Sequence, residues 1–74
     1  MKVTYDREAD AMYIKFREAK VEKSSDVADG IVLDYGVNGE LIGIEVLHAS
    51  VRIPDPHSIS YSAEPEAPKY DPSL

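Results

Sequence analysis

Residues 31–47 read IVLDYGVNGELIGIEVL, and this stretch decides the fold. Its first five residues are rich in β-branched and aromatic side chains, which are typical of a strand. Asn38-Gly39 tolerates the positive φ angles of a tight turn. After that turn, residues 41–47 carry apolar side chains at alternate positions, which predicts a returning strand. The stretch therefore predicts an antiparallel β-hairpin.

A second alternating segment lies upstream, at residues 12–17. Its apolar residues have a period of two, which suits a strand with one buried face. A helix over residues 8–20 is the competing interpretation, because Ala, Glu and Met favour helices. The aromatic residues and the period favour the strand. Residues 3–5 give a further strand signal, and the polar segment 21–28 predicts a short edge strand or a loop.

These signals predict a mainly β fold, a small antiparallel β-meander sheet of four to five short strands. All five prolines follow Ile53, and proline can neither donate to a β-ladder nor continue a helix. The prediction is a β-sheet domain at residues 1–53 and a Pro-rich tail at residues 54–74, with room for one short strand at 58–62. The predicted core consists of Val3, Tyr5, Met12, Ile14, Phe16, Leu33, Ile42, Ile44 and Val46.

Composition limits the classes of partner. The chain has 74 residues, no cysteine and a net charge of −6. An acidic surface repels phosphates, which argues against nucleic acid and anionic membranes as partners; it permits a basic protein partner. The first residues lack the apolar run of a signal peptide, and no apolar stretch approaches the length that spans a bilayer. The expected location is cytoplasmic.

Three carboxylates, Asp6, Glu8 and Asp10, alternate across a polar turn and are the candidates for a metal site, because Ca²⁺ and Mg²⁺ prefer oxygen ligands. The glycine and glutamate that a calcium loop needs further on do not follow. The favoured interpretation is that Asp6 and Asp10 bond backbone N–H groups and shape the turn. We therefore predict neither a metal nor another cofactor.

A second acidic pair lies on the hairpin. A turn centred on Asn38-Gly39 places Asp34 opposite Gly43 and Glu45 opposite Val32, so the two acids share a face. A carboxylate pair can serve general acid–base chemistry. Ion pairing with Lys15 and Arg17 on the adjacent strand is the simpler interpretation, and no catalytic residue is assigned. The two histidines, His48 and His57, lack the compact spacing of a zinc site.

One face of the predicted sheet carries apolar residues that a lone sheet of this size would leave exposed to solvent. They are Tyr13, Val32, Leu41 and Leu47, and the tail adds Ile59 and Tyr61. Because a symmetric dimer enlarges a core that is marginal alone, we expect a homodimer with either Tyr13, Leu41 and Leu47 or the 58–62 segment at the contact.

Several segments, in order, resemble a known family. They are Thr4-Tyr5-Asp6, residues 8–14 (EADAMYI), residues 30–35 (GIVLDY), Gly39, and residues 42–50 (IGIEVLHAS). The pattern resembles the prokaryotic domain-of-unknown-function family 2283 over about two thirds of the chain. The resemblance implies a small β-rich protein without an established activity. Some members look like companions of toxin-like genes, which implies an antitoxin-like role.

Many antitoxins bind both DNA and their toxin. This chain shows no Lys/Arg-rich DNA-binding segment, so only the toxin-neutralising activity applies. The sequence thus favours a non-enzymatic protein-interaction module. The alternative is a small metal-binding or carboxylate-based enzyme.

Overall fold

A computed structural model describes residues 1–65, Tyr70 and Pro72. The elements are five strands and one short helix: β1 (Lys2–Asp6), β2 (Ala11–Lys15), β3 (Lys23–Ala28), β4 (Ile31–Tyr35), β5 (Leu41–Leu47) and α1 (Ala49–Arg52). All strand pairs are antiparallel, and the five strands form one sheet in the order β1-β2-β5-β4-β3. The prediction of a mainly β protein is confirmed.

The strand order departs from that of a simple meander at one point. The segment between β2 and β3, residues 16–22, carries the chain to the far edge, and β5 then returns to the middle between β4 and β2. β5 is mostly apolar, which suits its central place because a central strand has neighbouring strands on both sides. The polar segment predicted as an edge strand or loop becomes the edge strand β3, with an irregular register between Asp26 and Ala28.

The β4–β5 hairpin pairs as the sequence predicts. Asp34 lies opposite Gly43 and Val32 lies opposite Glu45. The turn is closed by the Gly36 N–H, which donates to the Glu40 carbonyl at 2.9 Å, and Gly39 has a φ of 79°. The register shifts after Asp34, where β5 holds one extra residue.

The register sorts the side chains into two faces. We call one the apolar face; it consists of two cross-strand rows, Val3–Ile14–Ile44–Leu33 and Tyr5–Met12–Val46–Ile31. We call the other the polar face; its rows are Thr4–Tyr13–Glu45–Val32–Asp26 and Lys2–Lys15–Gly43–Asp34–Ser24. Such a division is typical of antiparallel sheets.

The buried core is thin. Among the described apolar residues, only Met12, Ile42 and Ala49 are buried. The other seven residues of the apolar face are half-buried. Phe16, which the sequence assigns to the core, is 38% exposed. That prediction is wrong because β2 ends at Lys15, so the alternation does not extend to the aromatic ring.

The sequence allows one short strand in the tail, at residues 58–62. In the structure these residues form no strand. Pro56, His57 and Ile59 line a depression together with Val3 and Tyr5 of β1.

In the part of the chain that the structure describes, no helix is long and apolar enough to cross a membrane.

Candidate functional site

Three side chains form a hydrogen-bonded network across the polar face. The Tyr13 hydroxyl donates to Asp34 Oδ2 at 2.8 Å, and the Ser24 hydroxyl donates to Asp34 Oδ1 at 2.6 Å. Tyr13 lies on β2, Asp34 on β4 and Ser24 on β3. The network therefore links four adjacent strands, since Tyr13 reaches across β5 to its partner.

Gly43 of β5 makes this crossing possible. A Cβ atom at this position would lie 2.2 Å from the Tyr13 Oη atom and 2.4 Å from its Cζ atom. Real Cβ atoms do not approach other atoms so closely, so any side chain would push the tyrosine away. The glycine is needed for space beneath the phenol ring, and its φ is not positive.

The phenol keeps its proton in this setting. Burial raises the pKa of Tyr13 to about 12, with further contributions from the bonded Asp34 and from the charge of Glu45. Both oxygens of Asp34 accept a hydroxyl hydrogen, and Lys15 pairs with Glu18 at 3.3 Å rather than with either acid of the hairpin. The structure thus brings Asp34 and Glu45 to one face, but Asp34 acts there as the acceptor of a structural network.

A second network is centred on Asp10, at the end of the β1–β2 turn. Its carboxylate accepts the Tyr5 hydroxyl at 2.6 Å, the Ser50 N–H at 2.9 Å and the Ser50 hydroxyl at 2.6 Å. Its carbonyl accepts the Ala49 N–H at 3.0 Å. The bonds from Ser50 and Tyr5 hold the pKa of Asp10 below its ordinary value. Asp10 therefore fastens α1 to the β1–β2 hairpin.

Asp10 also has a φ of 52°, in the left-handed region, which aspartate tolerates better than most residues. The other predicted metal candidates are placed separately. Asp6 accepts the backbone N–H groups of Glu8 and Ala9 at 3.0 and 3.1 Å, and Glu8 is exposed. Among the described residues, no three His, Asp or Glu side chains are grouped to hold a metal ion.

The turn between β3 and β4, at Asp29-Gly30, is bound by both α1 and the end of β5. Arg52 donates from its guanidinium to the carbonyl of Asp29, and the Leu47 N–H donates to the Gly30 carbonyl at 2.8 Å. The hydrogen bonds of Ser50 to Asp10 and of Arg52 to Asp29 were not predicted from the sequence. Their contacts are 40 and 23 residues away along the chain, so no local pattern marks them.

The two histidines are held in different ways. His48 precedes α1 with a φ of 54° and is exposed. His57 packs the edge of its ring against Tyr5, with the ring centroids 5.3 Å apart and the planes at 84°. This contact places the start of the tail beside β1.

The expected interface residues lie in two parts of the chain, the sheet and the tail. Tyr13 is engaged with Asp34, whereas Leu41 and Leu47 are half-buried. Ile59 and Tyr61 are exposed by 55% and 78%.

The fold and these networks define a small single-sheet β protein in which the polar clusters link strands and turns. The family model described as "Protein of unknown function (DUF2283)" matches residues 2–50. The chain belongs to this family, which confirms the resemblance seen in the sequence.

A related protein is the uncharacterized protein MJ0789 of Methanocaldococcus jannaschii. The two are 40% identical over 50 residues, which cover 68% of this chain and 42% of the relative. The matched region thus spans less than half of that relative. No solved structure matches this chain.

Proposed function

We propose that this protein is a protein-interaction module that binds through its apolar face. The observation that carries the proposal is the incomplete burial of this face. Of its eight residues, only Met12 is buried, although the two rows contain nothing but apolar residues and one tyrosine. Contiguous apolar surface that the protein itself covers only in part is a feature of protein-contact sites.

The energetics support the same proposal. Burying apolar surface stabilises a protein by about 25 cal/mol per Å². Residues such as Ile14, Leu33 and Ile44 realise only part of this gain while they are half-buried. A partner that covers the face would supply the rest.

The alternative of a carboxylate-based enzyme finds less support in the geometry. A general base must be within hydrogen-bond reach of the proton that it removes. Both oxygens of Asp34 are already occupied by hydroxyl donors, Tyr13 and Ser24. This arrangement favours a structural part for Asp34 over a catalytic one.

An antitoxin-like role is a second form of the interaction proposal, in which a basic partner binds the polar face instead of the apolar face. The acids of the sheet, including Asp26, Asp34 and Glu45, lie on the polar face. A basic partner would find its complementary charge there, and its binding would weaken as salt is added.

The test is site-specific photo-crosslinking in the cells that produce the protein. A photoreactive phenylalanine analogue replaces Leu33 on the apolar face in one variant and Val32 on the polar face in the matched control. We expect a discrete adduct from position 33 and none from position 32. The absence of any adduct from position 33, with the protein folded and abundant, would refute the proposal. An adduct from position 32 alone would move the binding surface to the polar face.

A further inference from the structure

We infer that Asn38 is a site of spontaneous covalent modification, at which water converts the asparagine into aspartate and isoaspartate at a rate that the β4–β5 turn controls. The attacking group is the backbone nitrogen of Gly39, and the leaving group is the side-chain amide of Asn38. The inference is independent of the proposed binding by the apolar face.

The chemistry balances with water as the co-reactant. The Gly39 nitrogen gives up its proton and bonds to the side-chain carbonyl carbon of Asn38, and the side-chain amide nitrogen leaves as ammonia. Water then opens the resulting cyclic imide. Opening at the side-chain carbonyl gives aspartate, whereas opening at the main-chain carbonyl gives isoaspartate, in which the backbone runs through the former side chain. An intramolecular attack of this kind is favoured because the reacting groups are already neighbours.

The surroundings of Gly39 leave this attack open. Glycine has no Cβ atom that could shield its nitrogen, and a Cβ placed on Gly39 would meet no atom within 4 Å. Val37 is 75% exposed, and Asn38 and Gly39 are exposed as well. Water therefore reaches both reacting groups.

The Asp29-Gly30 turn offers a contrast within the same sheet. An aspartate before a glycine can form the same imide by losing water. Here, however, a Cβ on Gly30 would lie 3.3 Å from the guanidinium of Arg52, and that guanidinium donates to the Asp29 carbonyl. The Leu47 N–H also donates to the Gly30 carbonyl at 2.8 Å. Contacts from α1 and β5 therefore hold this turn in place.

The folded β4–β5 turn slows the reaction through its hydrogen bonds. The Gly39 N–H donates to the Gly36 carbonyl at 3.0 Å, and the Gly36 N–H donates to the Glu40 carbonyl at 2.9 Å. The attacking nitrogen must lose the proton that it donates to Gly36, so the turn has to open locally before the imide forms. Local openings at an exposed turn cost less free energy than global unfolding. The modification therefore proceeds in the folded protein, but more slowly than in an open chain.

The two products differ in their effect on the hairpin. Isoaspartate lengthens the backbone between Gly36 and Glu40 by a methylene group, and the bond between these residues closes the turn. The register that places Asp34 opposite Gly43 follows from this turn, so the isoaspartate form should be less stable. Aspartate is itself a common turn residue and only makes the net charge of −6 more negative.

The test uses the full chain, whose composition makes the signal specific. Asn38 is the only asparagine of the chain, which has no glutamine, so any ammonia released from a side-chain amide comes from Asn38. The chain is incubated at neutral pH, folded and in urea, while ammonia and the mass of the chain are followed. Isoaspartate is counted with an isoaspartyl methyltransferase and a labelled methyl donor. We expect release in both samples, at least about tenfold slower in the folded one, and much slower release from Asn38→Gln, whose imide ring would be larger.

Three outcomes would overturn the inference. They are no ammonia from the folded chain, equal rates in the folded and urea samples, and release from Asn38→Gln at the rate of the unmodified chain. The separated isoaspartate form should also melt at a lower temperature than the aspartate form, and equal melting would contradict the effect on the turn.

The variant Asn38→Asp supplies a matched comparison, because aspartate then precedes glycine at both turns of one molecule. Peptide mapping measures isoaspartate at positions 38 and 29. We expect it to accumulate faster at position 38, where the glycine is open, than at position 29, where Arg52 covers it. Equal accumulation would show that the exposure of Gly39 does not matter and would refute the structural argument.

Discussion

Gly43→Ala is the most informative single substitution, because it adds one methyl group beneath the phenol ring of Tyr13. The new Cβ would lie 2.2 Å from the Tyr13 Oη atom and 2.9 Å from the carbonyl oxygen of Ile14. The side chain can rotate away, whereas the backbone carbonyl has less freedom. The phenol must therefore leave its position and give up its bond to Asp34.

The cost follows from two opposing terms. A hydrogen bond to a charged group contributes about 1.5–3 kcal/mol. Replacing glycine by alanine within a strand recovers about 0.5–1 kcal/mol of backbone entropy. The net loss is thus about 1–2 kcal/mol before any backbone shift, which corresponds to a fall in Tm of about 4–16 °C for a domain of this size. Elsewhere in a strand, the same substitution would stabilise.

The assay is urea and thermal unfolding at one fixed protein concentration, because association would shift apparent stability. The control is Gly43→Ala in a Tyr13→Ala background, where the phenol is already absent. There the substitution should cost at least 1 kcal/mol less. A Gly43→Ala protein as stable as the unmodified chain, or an equal cost in both backgrounds, would refute the proposed reason for the glycine.

Three further predictions concern stability. Met12→Ala should cost about 2–5 kcal/mol and Phe16→Ala only about 1–2 kcal/mol, because Met12 is 2% and Phe16 38% exposed; paired urea titrations measure the difference, and an equal cost would contradict the burial pattern. The lowered pKa of Asp10 contributes stability above its ordinary value of 3.8 that is lost as the pH falls through the folded pKa. Asp10→Asn should therefore be less stable at pH 7 and less sensitive to acid in melts from pH 7 to pH 2; unchanged acid sensitivity would count against this network. The pKa of Tyr13, about 12 against an ordinary value of 10.0, contributes stability that is complete below pH 10 and lost as the pH rises towards 12. Tyr13→Phe should flatten alkaline unfolding over this interval, and an ultraviolet titration in which every tyrosine ionises near pH 10 would exclude the shift.

The sequence predicts the hairpin well, because its signals are local. Period-two alternation defines the faces of β4 and β5, and Asn38-Gly39 defines the turn between them, so Asp34 is correctly placed opposite Gly43. Phe16 fails because the strand ends one residue earlier than the alternation indicates.

The candidate site was harder to predict than the fold. Asp34 is visible as an acid on a sheet face, but its donors come from positions 21 and 10 residues away. Likewise, a glycine inside a strand ordinarily weakens it, and the need for Gly43 becomes clear only when the Tyr13 ring is known to lie against it. These contacts depend on which strands become neighbours. β2 and β5 are far apart along the chain and pair only in the folded sheet.

The location of the last strand in the middle of the sheet affects how the protein is made. As the chain leaves the ribosome, the β1–β2 hairpin emerges early, with the edge that will later pair with β5 still open. Its contacts with β5 join residues such as Met12 and Val46, which are far apart along the chain, and such distant pairings form slowly. Until then, an apolar edge is available to other chains. Production of this protein should therefore be sensitive to synthesis rate and to holdase chaperones, although its final sheet has only short strands at its borders.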